Sequence, residues 1–368
     1  MKKLYIHIGL SKTGSSAIQS WLSLNSEELK RQGGDYADLS PSAKEGKITA
    51  GNGVQLFHAC NSENWEEVER LILNVYFGNN FKAIISSETL QNISPIAIKK
   101  IKSICDDKNI EVNIIAYVRS VYELLYSNYL QGVKRHGFTF RFGEKEGMGY
   151  KPQRTFLENY FRVFGSDLKV LNYDSFKKDI YRSFASVLEL NVDKFIVKNR
   201  RVNRSLIFGE TEVLIEMNQL HKGVFSTEIS DFLIELSPEL PTTVFYKTDL
   251  LEKTRKHAID DLNWINEHLI HDGDLIELDF SNKFQSVKHL DDIDNSKIFR
   301  DVATWALNRE TQTYCKELVD FLRDFAVFFE KIDVEQSYKL MKKALLLRPQ
   351  GPFIQKKVKY YERLLAAK

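Results

Sequence analysis

Gly9-Leu10-Ser11-Lys12-Thr13-Gly14-Ser15-Ser16 places a lysine and four hydroxyls in a glycine-bounded turn directly behind the apolar run Leu4 to Ile8. A helix starting near Ser15, with Ala17, Ile18, Trp21 and Leu22 in its first turns, would point its unpaired N–H groups and its positive dipole end at the turn. The chemistry offered is that of an anion cradle. Gly14 permits close backbone approach, Ser11, Thr13, Ser15 and Ser16 supply hydroxyl donors, and Lys12 supplies a mobile charge. Gly9 and Gly14 are spaced as in a P-loop, but Ser15 stands where that motif has its lysine, and the lysine lies inside the turn. A nucleotide triphosphatase needs the lysine immediately before the hydroxyl that holds Mg²⁺. The plain alternative is an ordinary strand, turn and helix with surface serines.

Two further groups can join such a site. Arg119 follows the apolar run Val112 to Val118, and Ser127 stands eight residues later, about two turns into a helix starting near Val121. A guanidinium fork and a hydroxyl suit a second phosphate. The competing assignment pairs Arg119 with Glu123 and leaves Ser127 a bystander. Glu88 follows the run Phe81 to Ser86 and could act as a base, or could cap a helix starting near Ser94. His58 and His136 are rival bases with no motif around them.

The elements that must carry these groups alternate. Strands at Leu4 to Ile8, Phe81 to Ser86, Val112 to Val118 and Leu168 to Tyr173 are separated by helical periodicity at Trp65 to Tyr76, Ile96 to Cys105, Val121 to Lys134 and Phe176 to Leu190. This order predicts an α/β domain, a three-layer α/β/α arrangement with a central parallel sheet. Ligands of such sheets bind beyond the carboxyl ends of the strands, which puts the Lys12 turn, Glu88 and Arg119 on one edge. From about Ser296 the pattern is helical throughout. Ser337 to Pro349 and Pro352 to Leu365 read as a tetratricopeptide-like helix pair that cannot bury its apolar face alone and so needs the main domain or a protein partner. The expected division is 1–290 and 291–368.

The stretch Gly132 to Arg154 holds Gly132, Gly137, Gly143, Gly147 and Gly149 among Lys134, Arg135, Arg141, Lys145, Lys151 and Arg154. It reads as a lid over an acidic or sugar acceptor, or equally as a solvated loop. Tyr122, Tyr126 and Tyr129 fall at helical spacing and are assigned to packing.

With 368 residues and 43% hydrophobic content the chain can bury a full core and a smaller appendage. Its formal charge of +2 gives no nucleic-acid signal. Ten Lys/Arg against three Asp/Glu from Lys331 to Lys368, a net +7, leave −5 for residues 1–330. Cys60, Cys105 and Cys315 have no metal-ligand spacing and read as reduced thiols. No signal peptide or membrane-spanning run is found, since His7, Ser11 and Lys12 interrupt the first apolar stretch. A cytoplasmic location is expected, with peripheral membrane attachment left open.

Ile6-His7-Ile8-Gly9-Leu10-Ser11-Lys12-Thr13-Gly14-Ser15-Ser16 resembles the IHIGxPKTGTT signature of sulfotransferases that use 3′-phosphoadenosine 5′-phosphosulfate, with Ser11 in place of the proline. Arg119 to Ser127 is similar to their second signature. The likeness spans about residues 4–290 and includes the Tyr173-Asp174-Ser175-Phe176 turn and Arg201-Val202-Asn203-Arg204-Ser205-Leu206. The resemblance implies a P-loop-like fold and sulfuryl transfer to a hydroxyl or amine acceptor, a carbohydrate first among them, with no metal required. It further implies that Ser11, Lys12, Thr13, Gly14, Ser15 and Ser16 hold the 5′-phosphosulfate, Arg119 and Ser127 the 3′-phosphate, and Arg204 the donor, with Lys12 and Glu88 catalytic. Relatives commonly follow the glutamate with Lys-Ser or Lys-Thr, where this chain has Thr89-Leu90. A kinase using ATP and Mg²⁺ and a nucleotide-binding scaffold are the alternatives.

Overall fold

A computed structural model describes residues 1–37, 50–144, 151–197, 204–240, 244–246, 248–270, 274–278, 284–286, 295–309 and 315–367. The chain forms two compact units, one built from 1–124, 150–200 and 252–279, the other from 125–149, 201–251 and 280–368.

The first unit is an α/β body. Five strands, β1 (Lys2–Ile8), β2 (Gly34–Asp35), β3 (Lys82–Ser87), β4 (Ile110–Val118) and β5 (Leu168–Asn172), form a sheet in the order β2-β3-β1-β4-β5. Every pairing is parallel, with Ile6 opposite Ile85 on one side and Ile114 on the other. The strands read as near-continuous apolar runs because both faces of a parallel sheet are covered. Alternate residues of β1 divide between two cores. Leu4, Ile6 and Ile8 pack with Ile98 and Ile101 of the helix Pro95–Asp107 and with Leu157 and Tyr160 of the helix Gln153–Phe164. Tyr5 turns the other way, toward Ile18, Trp21 and Leu22 of the helix Ser15–Leu24 and Ile180 and Phe184 of the helix Ile180–Val187. β1 is the middle strand. The chain leaves β1 on one side, toward β2 and β3, and leaves its neighbour β4 on the other, toward β5, so these two adjacent strands carry outgoing connections in opposite senses. The crevice at such a reversal is where a ligand fits.

Local departures from the sequence expectation have local causes. The region expected as one helix from Trp65 to Tyr76 starts as α-helix, capped by the Asn64 side chain at Glu67 N, and widens into a π-helix at Leu71–Tyr76. The helix expected over Phe176 to Leu190 breaks into Tyr173–Phe176 and Ile180–Val187, because Asn172 caps a separate first turn by accepting from Asp174 N. Asn52 stitches the free side of β3 beyond the short β2. Its side chain donates to Ile84 O at 2.9 Å and accepts from Ser86 N at 2.8 Å.

The second unit is mostly helical. Its C-terminal helices are Ser296–Asn308, Lys316–Phe329, Val334–Leu347 and Pro352–Ala366. The expected helix pair is present at Val334–Leu347 and Pro352–Ala366, and it does not stand alone. Tyr361 donates to Ala326 O at 3.2 Å and to Glu330 at 2.7 Å, while Lys343 Nζ donates to the carbonyls of Ala306, Leu307 and Arg309 at 2.7–3.1 Å, closing the end of the Ser296–Asn308 helix. Residues 125–144 join this unit through Asn218, whose amide donates to Val133 O at 3.0 Å and Phe138 O at 2.9 Å, and hold an aromatic cluster of their own in which Phe142 packs edge-on to Tyr126 at 5.2 Å and against Tyr129. Tyr122, Tyr126 and Tyr129 are all buried, as packing residues should be. Among the described residues, no helix is long and apolar enough to cross a membrane.

Candidate functional site

The turn after β1 is built to leave donors open. Thr13, fully buried, closes it from inside by donating to Leu10 O at 2.6 Å. Lys12 and Gly14 both take left-handed backbone, with φ of 63° and 81°. At Gly14 the space is as demanding as the angle, since a Cβ there would lie 2.6 Å from Ile180 Cδ1 and 3.0 Å from Tyr173 Cε2. For lysine the left-handed conformation is uncommon and costs about 1 kcal/mol, a local strain of the kind held where a site is shaped. The helix Ser15–Leu24 then starts with no side-chain cap, Ala17 N and Ile18 N returning to Gly14 O. The N–H groups of Thr13, Gly14, Ser15 and Ser16 have no hydrogen bond among the described residues, so four successive donors stand open at the start of this helix. Ser15 is buried, Ser11 and Ser16 half-buried.

Arg119, immediately after β4, is wired to that turn. Its Nη1 donates to Lys12 O at 3.1 Å and its Nη2 to Glu123 Oε2 at 3.1 Å. Asp174 Oδ1 lies 3.7 Å from Nε, which is buried and has no hydrogen-bond partner among the described residues. The guanidinium also lies over the ring of Tyr173, 5.1 Å from its centroid. Tyr173 thus touches both the arginine and the space above Gly14. The carboxylate of Asp174 accepts from Ser120 N at 2.9 Å, fixing the chain just past the arginine. The pairing of Arg119 with Glu123, the competing assignment, is therefore present, and it holds the guanidinium beside the turn.

Glu88 opens the short 3₁₀ turn Glu88–Asn92 at the end of β3. It does not cap the helix at Pro95, because Ser94 does so by accepting from Ala97 N at 3.2 Å. Among the described residues its carboxylate has no hydrogen bond and no ion pair within 4 Å. Partial burial at the sheet edge raises its pKa, with the Lys12 charge pulling the other way. Lys12 responds in mirror image. Burial lowers its pKa, Glu88 raises it and Arg119 lowers it. Lys12 is thus close enough to feel the charges of both Glu88 and Arg119 on one edge of one unit, as the strand order requires.

The remaining expected residues fall elsewhere. Ser127 is half-buried in the helix Val121–His136, on the part of it that belongs to the second unit. Arg204, also in the second unit, has all five donors satisfied by protein: Glu210 takes two bonds at 2.7 Å, and the carbonyls of Ser205, Leu233 and Ser237 take the rest. It clamps the start of the helix Phe208–His221 and has no donor left for a ligand. His58 and His136 are exposed on helices. In the glycine-rich segment, Lys145, Gly147 and Gly149 lie outside the described residues, while Arg135 pairs with Asp231 and Arg141 with Glu212 at 2.6 Å. Most of that segment's described cations are thus engaged with protein.

Three contributors carry little or no sequence signal. Tyr173 and Asp174 open the YDSF turn that the family likeness singles out, without a role being assigned to them. Gln153 has no motif, and its approach to Arg119 depends on a contact 34 residues away in sequence. Among the described residues no group of three or more His, Cys, Asp or Glu is placed to hold a metal ion. Comparison with protein-family models, with curated proteins and with solved structures finds no match for this chain.

Proposed function

We propose that this chain is a sulfotransferase of P-loop-like fold that takes its sulfuryl group from 3′-phosphoadenosine 5′-phosphosulfate and gives it to a hydroxyl acceptor, a carbohydrate being the first choice. The observation that carries the reading is the hydrogen bond from Arg119 to the carbonyl of Lys12 at 3.1 Å. It brings two anion motifs, 107 residues apart in sequence, side by side, which supports a ligand with two anionic groups. A simple phosphate turn would have no need of the second motif.

In this reading the open N–H groups of Thr13 to Ser16, with the hydroxyls of Ser11, Ser15 and Ser16, hold the 5′-phosphosulfate. Arg119 takes the 3′-phosphate, exchanging its bond to Glu123 for one to the ligand and bringing its unpartnered Nε into use. The acceptor oxygen forms a bond to sulfur as the bond from sulfur to the bridging oxygen breaks, and adenosine 3′,5′-bisphosphate departs. Glu88 accepts the acceptor's proton. Its raised pKa makes it a stronger base than an ordinary carboxylate, and the absence of other partners leaves it available. Lys12 offsets the charge growing on the bridging oxygen, and its lowered pKa makes it a readier proton donor there. Reaction by positioning and charge stabilisation is what this set of residues offers. Arg204 takes no part, because its donors are filled.

Transfer of labelled sulfate from the donor to a panel of glycans and other hydroxyl compounds tests the reading, with Lys12→Ala as the blank. Transfer that disappears in the blank supports it. A protein that hydrolyses or transfers phosphate from ATP with Mg²⁺, and moves no sulfate, overturns it.

A further inference from the structure

Gln153 is only 3% exposed, and its side-chain amide bonds to backbone. Its Oε1 accepts from Arg119 N at 3.0 Å and its Nε2 donates to Arg119 O at 2.8 Å. An amide side chain that satisfies both backbone groups of one residue acts like a neighbouring strand, and it extends the sheet's hydrogen bonding one residue past the end of β4. The residue so held is the arginine whose guanidinium reaches Lys12 O. Gln153 is itself fixed. It begins the helix Gln153–Phe164, whose N-cap is Pro152 and has no side-chain cap, and Asp261 of the helix Thr248–His268 substitutes by accepting from Arg154 N at 3.1 Å. A chain of contacts therefore runs from Asp261 through the start of this helix and the Gln153 amide to Arg119, and from Arg119 to Lys12.

We infer that Gln153 is a positioning residue, one that sets where the Arg119 guanidinium stands relative to the Lys12 turn and thereby sets preference for a nucleotide carrying a 3′-phosphate. The inference rests on the sulfotransferase reading of the site. Each of the two bonds contributes on the order of 1 kcal/mol, and their loss leaves the polar groups of a half-buried backbone unpaired. Tenfold in affinity corresponds to about 1.4 kcal/mol.

The test is the ratio of affinities for adenosine 3′,5′-bisphosphate and adenosine 5′-monophosphate, measured calorimetrically on the full chain. Gln153→Ala should reduce that ratio roughly tenfold while affinity for the monophosphate changes little. Gln153→Glu retains shape and the acceptor for Arg119 N but sets an oxygen against Arg119 O; it should give a similar loss, and it serves where the alanine variant does not fold. A residue with a merely structural role would lower the melting temperature and leave the ratio intact, and that result overturns the inference while the proposed function stands. A wild-type protein with no preference for the bisphosphate overturns both.

Discussion

His7 is fully buried two residues before Gly9, and its burial makes stability depend on pH in a way that can be isolated. Its Nδ1 lies 2.8 Å from Ser86 Oγ, its Nε2 has no hydrogen-bond partner, and the rings of Phe184 and Tyr117 stand edge-on at 5.3 and 6.1 Å. Burial pushes its pKa down from 6.5 to about 3. Above pH 6.5 neither the folded nor the unfolded chain binds this proton, and the full stability is present. As pH falls below 6.5 the unfolded chain takes up the proton and the folded chain does not, so stability is lost until about pH 3. The slope is ~1.4 kcal/mol per pH unit, which amounts to about 2.5 kcal/mol between pH 7.5 and 4.5. His7→Phe keeps a ring of similar size and removes the titration; Ser86 Oγ retains Gln19 Nε2 as a donor at 3.2 Å. Urea unfolding of both proteins at pH 4.5, 6.0 and 7.5, followed by tryptophan fluorescence, should show the wild type losing about 2.5 kcal/mol relative to His7→Phe over that range. Because other groups titrate in both proteins, only the difference counts. Parallel curves would refute the argument, for they would mean that His7 can be protonated without leaving its core.

Other outcomes follow from the same structure. Asp261 is buried and its pKa is pushed up to about 6, the opposite sense: stability from this group is full below pH 3.8 and lost as pH rises to 6, up to about 3 kcal/mol. Asp261→Asn should therefore flatten that part of the wild-type unfolding profile, and an unchanged profile contradicts the assignment. Gly14→Ala must adopt left-handed backbone and press on Ile180 and Tyr173, so chemical unfolding should show a loss of about 2–4 kcal/mol; a neutral substitution would mean that the turn relaxes freely. Glu88→Gln should abolish the rise of sulfate transfer with pH that a base of raised pKa produces, since the neutral amide takes no proton. A variant that keeps the rise identifies another base.

Much of the α/β unit is legible in the sequence because its signals are local. The apolar runs ending at Ile8, Val118 and Asn172 mark three strands, and the order of strands and helices implies a parallel sheet with its site at the carboxyl ends. Gly14 is legible for the same reason, as a glycine that lets the backbone approach an anion closely. Lys12 is not, since nothing in a lysine announces φ of 63°. The wiring of the site depends on long-range geometry. Tyr173 under Arg119 and Gln153 along its backbone come from elements whose approach no short pattern encodes. Arg204 shows the converse, a basic residue in a suggestive segment whose role is fixed by Glu210 six residues on and by carbonyls about thirty residues away. The break at Lys177 to Asp179 in the expected helix was hidden because Asn172 and the apolar spacing agree with either one helix or two.

The most direct measurement of the central claim is binding of adenosine 3′,5′-bisphosphate in the presence of a chelator, set beside ATP with Mg²⁺, by thermal denaturation. At a ligand concentration 100 times Kd, linkage adds about 2.7 kcal/mol, a rise of roughly 5 °C in Tm for a body of this size. The account predicts that rise for the bisphosphate without metal, none for ATP with Mg²⁺, and its loss in Arg119→Ala. Stabilisation by ATP with Mg²⁺ and none by the bisphosphate would contradict it.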